Sequence, residues 1–333
     1  MSHEISIAAD GKTYEMMYYG ETPWHGHGQA IDHAATLEEA LKLSGQDWTV
    51  EKVPIYIRQE SDDFGRTNIS PELKKYATVR SDKPAPDNAL GIVGPSYVPI
   101  QNKDLYRLCD RIVGDGQACY HTAGVLQGGR RVWTMLKLPG GIMVTDNDVV
   151  EKYLVLTNPH DGSETARMFF TPIRVVCMNT LSAARRSTNI TASVRHTGDI
   201  NVKFEQAAEL IGIASSVFDK TAEHYKTLRG YSLTSDKVAE YFATVFPSKV
   251  GAQRDFMAPR RAKATYLFEQ GKGNDLPGTR GTAWAAYNAV TEWVDHAQFP
   301  KAAPAKRFEK SWWGVGNELR QRAFREAIKM ATV

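Results

Sequence analysis

The chain has 333 residues, 42% hydrophobic and 24% charged, which suits one large globular domain or two modest ones. Its formal charge of +3 is too small for indiscriminate attraction to nucleic acid or membrane. No apolar run approaches the roughly 18–20 residues needed to span a bilayer.

In chain order, Lys12–Tyr19 reads as a strand. Thr36-Leu-Glu-Glu39 is a capping box that opens a short helix through about Leu43. Trp48–Arg58 alternates as a strand, and Pro54 pushes it toward a sheet edge. Residues 59–72 are polar and turn-rich, the pattern of a mobile loop, and Tyr76–Arg80 and Leu90–Ile100 are further strands. Asn102 is placed to cap a helix from Lys103 to about Val113.

Two hairpins follow. Tyr120–Leu126 and Arg130–Leu138 flank Gln127-Gly-Gly129, whose glycines supply the positive φ of a tight turn. Lys152–Thr157 and Glu164–Phe170 flank Asn158–Gly162. A helix is expected from Pro172 to Arg186, with proline in the first turn, where its missing N–H costs nothing. A long helix over about Asn201–Tyr225 and others near 235–246, 253–270, 281–297 and 313–330 complete the pattern, which holds no internal repeat. The expected fold is α+β: a hairpin sheet packed on helices through residue 200, then a helical region over 201–333 suited to oligomerisation.

Charge is uneven along this order. Residues 1–100 hold nine Lys/Arg against fifteen Asp/Glu, so they carry −6 and the remainder carries +9. From Thr165 to Gly198 there is no acid at all, while Arg167, Arg174, Arg185, Arg186 and Arg195 are present. Arginines interleaved with Phe169 and Phe170 can hold a phosphate backbone and stack on bases. The bland alternative is an arginine-rich face paired with carboxylates from other segments. Arg174, in the apolar start of the expected helix, reads as a buried ion-pair partner, whereas Arg185 and Arg186 end that helix and reach solvent. Arg130, Arg131 and Lys137 add charge on the first hairpin, around a Trp133 that burial tendencies place in the core. Arg254, Arg260, Arg261 and Lys263 form a third basic group, for which a solvated helix face is the default.

Other chemistries find little support. Cys109, Cys119 and Cys177 form no CxxC pair, which fits a reducing cytosolic setting without disulfides. The Met-Ser-His-Glu-Ile start does not read as a signal peptide. No Walker A, G-x-G-x-x-G or G-x-S-x-G sequence is present, so neither nucleotide hydrolysis nor a bound cofactor is expected. His25, His27, His160 and Asp161 could serve a metal-dependent nuclease, but their spacing matches no familiar metal site, and no metal is expected.

Three blocks resemble a known family: Tyr19-Gly-Glu-Thr-Pro-Trp-His-Gly-His-Gly28, Thr171-Pro-Ile-Arg-Val-Val-Cys-Met-Asn-Thr-Leu181 and Thr279-Arg-Gly-Thr-Ala-Trp-Ala-Ala-Tyr-Asn-Ala-Val-Thr-Glu-Trp293. They are similar to the prokaryotic phage/plasmid-like proteins grouped under a domain of unknown function, number nine-three-two. In that family the first block reads Pro-Trp-His-Gly-Leu-Gly; His27 stands here in place of the leucine. The resemblance implies a mobile-element setting in prokaryotic cytoplasm. The hairpin, hairpin, helix order also resembles single-strand annealing proteins, which implies rings or filaments with single-stranded DNA in a basic groove. The expected function is therefore single-strand binding and annealing by a homo-oligomer. Phosphates would be held by Arg167, Arg185, Arg186 and Arg195, helped by Arg130, Arg131 and Lys137, with Phe169 stacking. Trp312 and Trp313 cannot both face one side, so one is a candidate contact to a neighbouring subunit. The alternatives are a structural or interaction protein of a mobile element, and the metal-dependent nuclease.

Overall fold

The computed structural model describes residues 5–20, 27–59, 68–70, 74–114, 118–174, 179–180, 191–198, 214–248, 254–297 and 315–332. In chain order its elements are β1 (Met16–Tyr19), β2 (Gln29–Ile31), α1 (Leu37–Leu43), β3 (Val50–Pro54), β4 (Ile57–Gln59), β5 (Asn68–Ser70), β6 (Tyr76–Arg80), β7 (Ala89–Val93), α2 (Asn102–Gly114), β8 (Cys119–Leu126), β9 (Arg131–Thr145), β10 (Asp148–Pro159), β11 (Ala166–Arg174), β12 (Asn179–Thr180) and β13 (Thr191–Val194). Helices follow: α3 (Ala214–Gly230), α4 (Ser235–Val245), α5 (Ala258–Gln270), α6 (Ala283–Glu292), a π turn over Trp293–Ala297, and α7 (Val315–Ala331).

The hairpins form where their turn residues demand. Gly128 and Gly129 take φ of 70° and 109°, which side-chain-bearing residues rarely adopt, and they close β8 onto β9. Residues 160–165 close β10 onto β11. These strands make the middle of an eight-stranded sheet ordered β12-β11-β10-β9-β8-β1-β2, with β13 also paired to β11. All its pairings are antiparallel except β1 with β2. A smaller sheet, β3-β6-β7, has β3 and its Pro54 at one edge, as the proline requires. Thr36 and Glu39 form the expected reciprocal cap of α1.

One face of the large sheet sends Leu136, Leu154, Leu156, Met168 and Phe170 into a core shared with Tyr106 of α2 and with Phe218, Tyr225, Trp284, Tyr287 and Phe324 of the C-terminal helices. The opposite face buries Trp133, Met135, Tyr153, Val155 and Ile173 in a second cluster with Ile5. The fold is thus α+β, an antiparallel hairpin sheet packed on helices with a helical C-terminal region. Among the described residues no helix is long and apolar enough to cross a membrane.

A buried ionic group ties sheet to helices. Arg174, at the end of β11, donates from Nε and Nη2 to the two carboxylate oxygens of Asp148 at 2.7 and 2.5 Å. It also donates to the Gly273 carbonyl (2.8 Å) and to Asn274 Oδ1 (3.3 Å). Trp284 Nε1 donates to Asp148 at 2.8 Å, and neither charged side chain is exposed. Such a bidentate, fully satisfied pair is the arrangement in which a buried charge is tolerable. The structural role expected for Arg174 is therefore what its surroundings show. A second buried arginine, Arg80 of β6, is held by Glu15 (2.9 Å) and Asp82 (2.8 Å) and lies over the Trp48 ring at 4.4 Å.

Three expectations need correction. Thr171–Arg174 is strand, not the first turn of a helix, and pairs with Val150–Tyr153. Its residues are buried on both faces, which erases the alternation that would mark a strand in sequence. Among the described residues, β11 pairs with β13 only through Phe169 and with β12 only from Ile173, so no described strand calls on an outward N–H at Pro172. The strand expected over Leu90–Ile100 ends at Val93, before Pro95. Asn102 does not spend its side chain on a cap: Nδ2 donates to the Gln46 carbonyl (3.0 Å), and Oδ1 faces His160 Nε2 (2.9 Å). Most of residues 59–72, the first half of the expected 201–225 helix, and Trp312 with Trp313 lie outside the described residues.

Candidate nucleic-acid interface

The candidate surface is built from four neighbouring chain ends at one end of the large sheet. Arg131 opens β9 and lies opposite Pro159, at the end of β10. Arg167, near the start of β11, lies opposite Thr157 on one side and Ser193 of β13 on the other. Arg195 follows β13 directly, and Arg130 sits at the corner of the first hairpin. At strand spacings near 4.8 Å, the row from Arg131 to Arg195 spans about 14 Å. Antiparallel pairing thus gathers residues that are up to 65 positions apart in sequence.

Their environments differ. Arg130, Arg167 and Arg195 are exposed, while the Arg131 side chain keeps only 12% of its surface. Glu164 lies between Arg131 and Arg167, with guanidinium nitrogens 3.6 and 3.7 Å from its two oxygens. Those distances are ionic contacts beyond good hydrogen bonds, at a carboxylate that keeps 36% exposure. Glu164 therefore holds Arg167 weakly, and a phosphate oxygen could take its place at that guanidinium. The other nearby acid, Asp161, accepts from the backbone N–H (2.9 Å) and hydroxyl (2.6 Å) of Ser163 and shapes the turn.

Rigid backbone lies behind the row. The Arg130 carbonyl accepts from the His160 N–H at 2.7 Å, and the His196 carbonyl accepts from the Val98 N–H at 2.7 Å. The His196 ring stacks on Tyr97, centroids 4.7 Å apart and 8° from parallel. Gly91 of β7 lies so close to Asp161 that a Cβ there would meet its Cα at 2.5 Å, so only glycine lets the small sheet abut this turn. Burial pushes the imidazoles of His160 and His196 down to about 3 and about 4, His160 also feeling His196 and Arg80. Both rings are therefore neutral near pH 7 and add no charge.

The remaining site expectations fall elsewhere. Phe169 is half-buried against the second core cluster, which leaves it little free face for a base. Lys137 lies six residues along β9 from Arg131, roughly 20 Å away, and donates to Glu151 at 2.5 Å. Tyr153 donates to the other oxygen of Glu151 at 2.5 Å. Arg185 and Arg186 lie outside the described residues. Among the nuclease candidates, His160 is fully buried against Asn102, His27 stacks on Tyr14 with centroids 4.3 Å apart, and His25 lies outside the described residues. Among the described residues, no group of three or more His, Cys, Asp or Glu side chains could hold a metal ion.

Sequence reasoning missed two features. A hollow of about 320 Å³ is lined by Asp10, Glu15, Asp47 and Asp82 against Lys42 and Lys83, so part of the acidity of the first hundred residues gathers there. Exposed aromatics also stand inside the third basic group, Phe256 and Tyr266, where the mixture of ring and cation was legible but passed over.

A family model described as Domain of unknown function (DUF932) matches residues 89–324. No curated protein and no solved structure matches the chain.

Proposed function

The chain belongs to the DUF932 family, and from that premise we propose that it binds single-stranded DNA through the arginine row and anneals strands as a homo-oligomer. The observation that carries this reading is the convergence of Arg130, Arg131, Arg167 and Arg195 on one sheet end, where Glu164 stands 3.6 and 3.7 Å from the guanidinium groups of Arg131 and Arg167. An arginine already locked by a short bidentate pair would have to lose that pair before meeting phosphate. At Arg167 the exchange costs little, because its pair with Glu164 is exposed and such pairs contribute about 0–1 kcal/mol. No nucleotide hydrolysis is part of the proposal, and its setting is the cytoplasm of a prokaryotic host.

The test is a titration of a labelled oligothymidylate with the full chain across a salt series, with mass measured for free and bound protein. We expect binding that weakens steeply with salt and an assembled species. Replacing Arg131 and Arg167 together by Ala should lower the slope of log affinity against log salt by about 1.4, at about 0.7 per phosphate on single strands. Absence of binding at about 50 mM salt would falsify the reading and favour a structural or interaction protein.

A further inference from the structure

A second surface fits the same ligand, and the inference rests on the single-strand reading above. Arg254 and Phe256 precede α5, and Arg260, Lys263 and Tyr266 lie on its solvent side, while Ala264 and Leu267 face the core. Phe256 and Tyr266 are 69% and 53% exposed, unusual for large aromatic side chains. Neither ring stands alone. The Arg254 guanidinium lies 5.6 Å from the Phe256 centroid, and Lys263 Nζ lies 4.3 Å from that of Tyr266. Arg260 is anchored over the buried Trp293 ring at 5.7 Å.

Charge at this surface favours an anion. Arg261 is occupied: it donates to the Phe246 carbonyl (2.9 Å) and Ser248 Oγ (3.0 Å) and pairs with Asp255. That pairing neutralises Asp255, the acid beside Phe256, and with the exposed Glu269, one turn beyond Tyr266, counted in, Arg254, Arg260 and Lys263 still leave the surface net positive. Proteins that hold single strands without sequence preference combine a basic track with exposed rings on which bases stack, and cations at the ring faces add to it. A solvated basic helix needs no exposed rings, and an apolar docking face would not surround them with cations. Phe256 lies two residues before α5 and Tyr266 lies eight residues, about 12 Å, beyond its first residue, so the two rings stand apart along the surface.

We propose that Arg254, Phe256, Arg260, Lys263 and Tyr266 form a second contact for single-stranded DNA, in which the two rings stack on bases and the three cations hold the adjoining phosphates. The half-buried Phe169 gives up the stacking role to these rings. The two halves of the contact leave different signatures. Stacking changes affinity at every salt concentration, whereas phosphate contacts change the salt slope.

The experiment repeats the oligothymidylate salt series with the full chain carrying Phe256→Ala and Tyr266→Ala, and separately Arg254→Gln and Lys263→Gln. Exposed positions should tolerate these changes, and circular dichroism checks that the chain stays folded. The aromatic pair should weaken binding about a hundredfold, tenfold per ring, with the salt slope unchanged. The basic pair should reduce the slope by about 1.4. Tyr266→Phe should bind as the parent does, since the ring suffices. If the aromatic pair binds like the parent while Arg131→Ala with Arg167→Ala weakens binding, this surface is overturned and the sheet-end reading survives. The reverse result keeps this surface and overturns the sheet end, and a parent chain that binds no strand overturns both.

Discussion

Arg167 and Arg174 stand seven residues apart on the same strand and meet opposite fates. Seven is odd, so alternation sends them to opposite faces. Arg174 enters the helix-covered side, where Asp148, Gly273, Asn274 and Trp284 occupy its donors or its acid partner. Arg167 ends near solvent with one distant carboxylate. One basic stretch therefore contains both a structural keystone and a candidate ligand contact. Burial and partner distance tell them apart, whereas the density of charge in sequence does not.

The sharpest way to break this comparison is to remove each arginine. Arg174→Ala leaves Asp148 charged, buried and short of its main partner, and should cost about 3–5 kcal/mol in urea unfolding. Replacing Arg174 and Asp148 together by Met and Leu should recover much of that loss, because the stranded charge is gone. A stability near the parent's for Arg174→Ala alone would show that the pair is not the keystone described here.

Acid should separate the two regions next. His160 and His196 are buried neutral beside the arginine row, with folded values depressed to about 3 and about 4, below the usual 6.5. Arg80, Asp161 and each other are the charged or titratable groups that act on them. A depressed histidine prefers the unfolded state once protons become available there. Its contribution is complete above pH 6.5 and is lost as pH falls toward the folded value. We expect each ring to cost up to about 1.4 kcal/mol by pH 5.5. His196→Phe, which preserves the stack on Tyr97, should flatten this acid limb in unfolding experiments run from pH 7 to pH 5. A limb of unchanged steepness would mean that other groups cause the loss.

The smallest effect belongs to Arg167. Its Ala variant should change folding stability by less than about 1 kcal/mol, because the contact with Glu164 is long and exposed. A larger loss by thermal unfolding would make Arg167 structural and erase the contrast with Arg174.

Much of the fold was legible because its signals are local. The glycine pair after Gln127 and the Thr36 and Glu39 box each depend on neighbours a few residues away, and the core placement of Trp133 follows from the apolarity of its own side chain. The start of the expected 172–186 helix was misread for the opposite reason. Thr171–Arg174 is buried from both sides by segments remote in sequence, and a short, uniformly buried run carries no period to distinguish strand from helix. The candidate site was legible as composition but not as geometry. Glu164, one position before the acid-free stretch, reaches both Arg131 and Arg167, and only the register of β9, β10 and β11 brings it there. Lys137 lies on the same hairpin as Arg131, yet strand rise carries it to the middle of β9, opposite Tyr153.

The Asp148 carboxylate also sets an order of events during synthesis. Its Arg174 partner follows 26 residues later, but the Trp284 indole that completes the group lies 136 residues downstream. A nascent chain that has emerged only as far as the hairpins holds an ion pair whose apolar roof has not yet been made. Until α6 leaves the ribosome, water must serve in place of Trp284, and the part of the sheet that the C-terminal helices cover stays open to solvent and to chaperones.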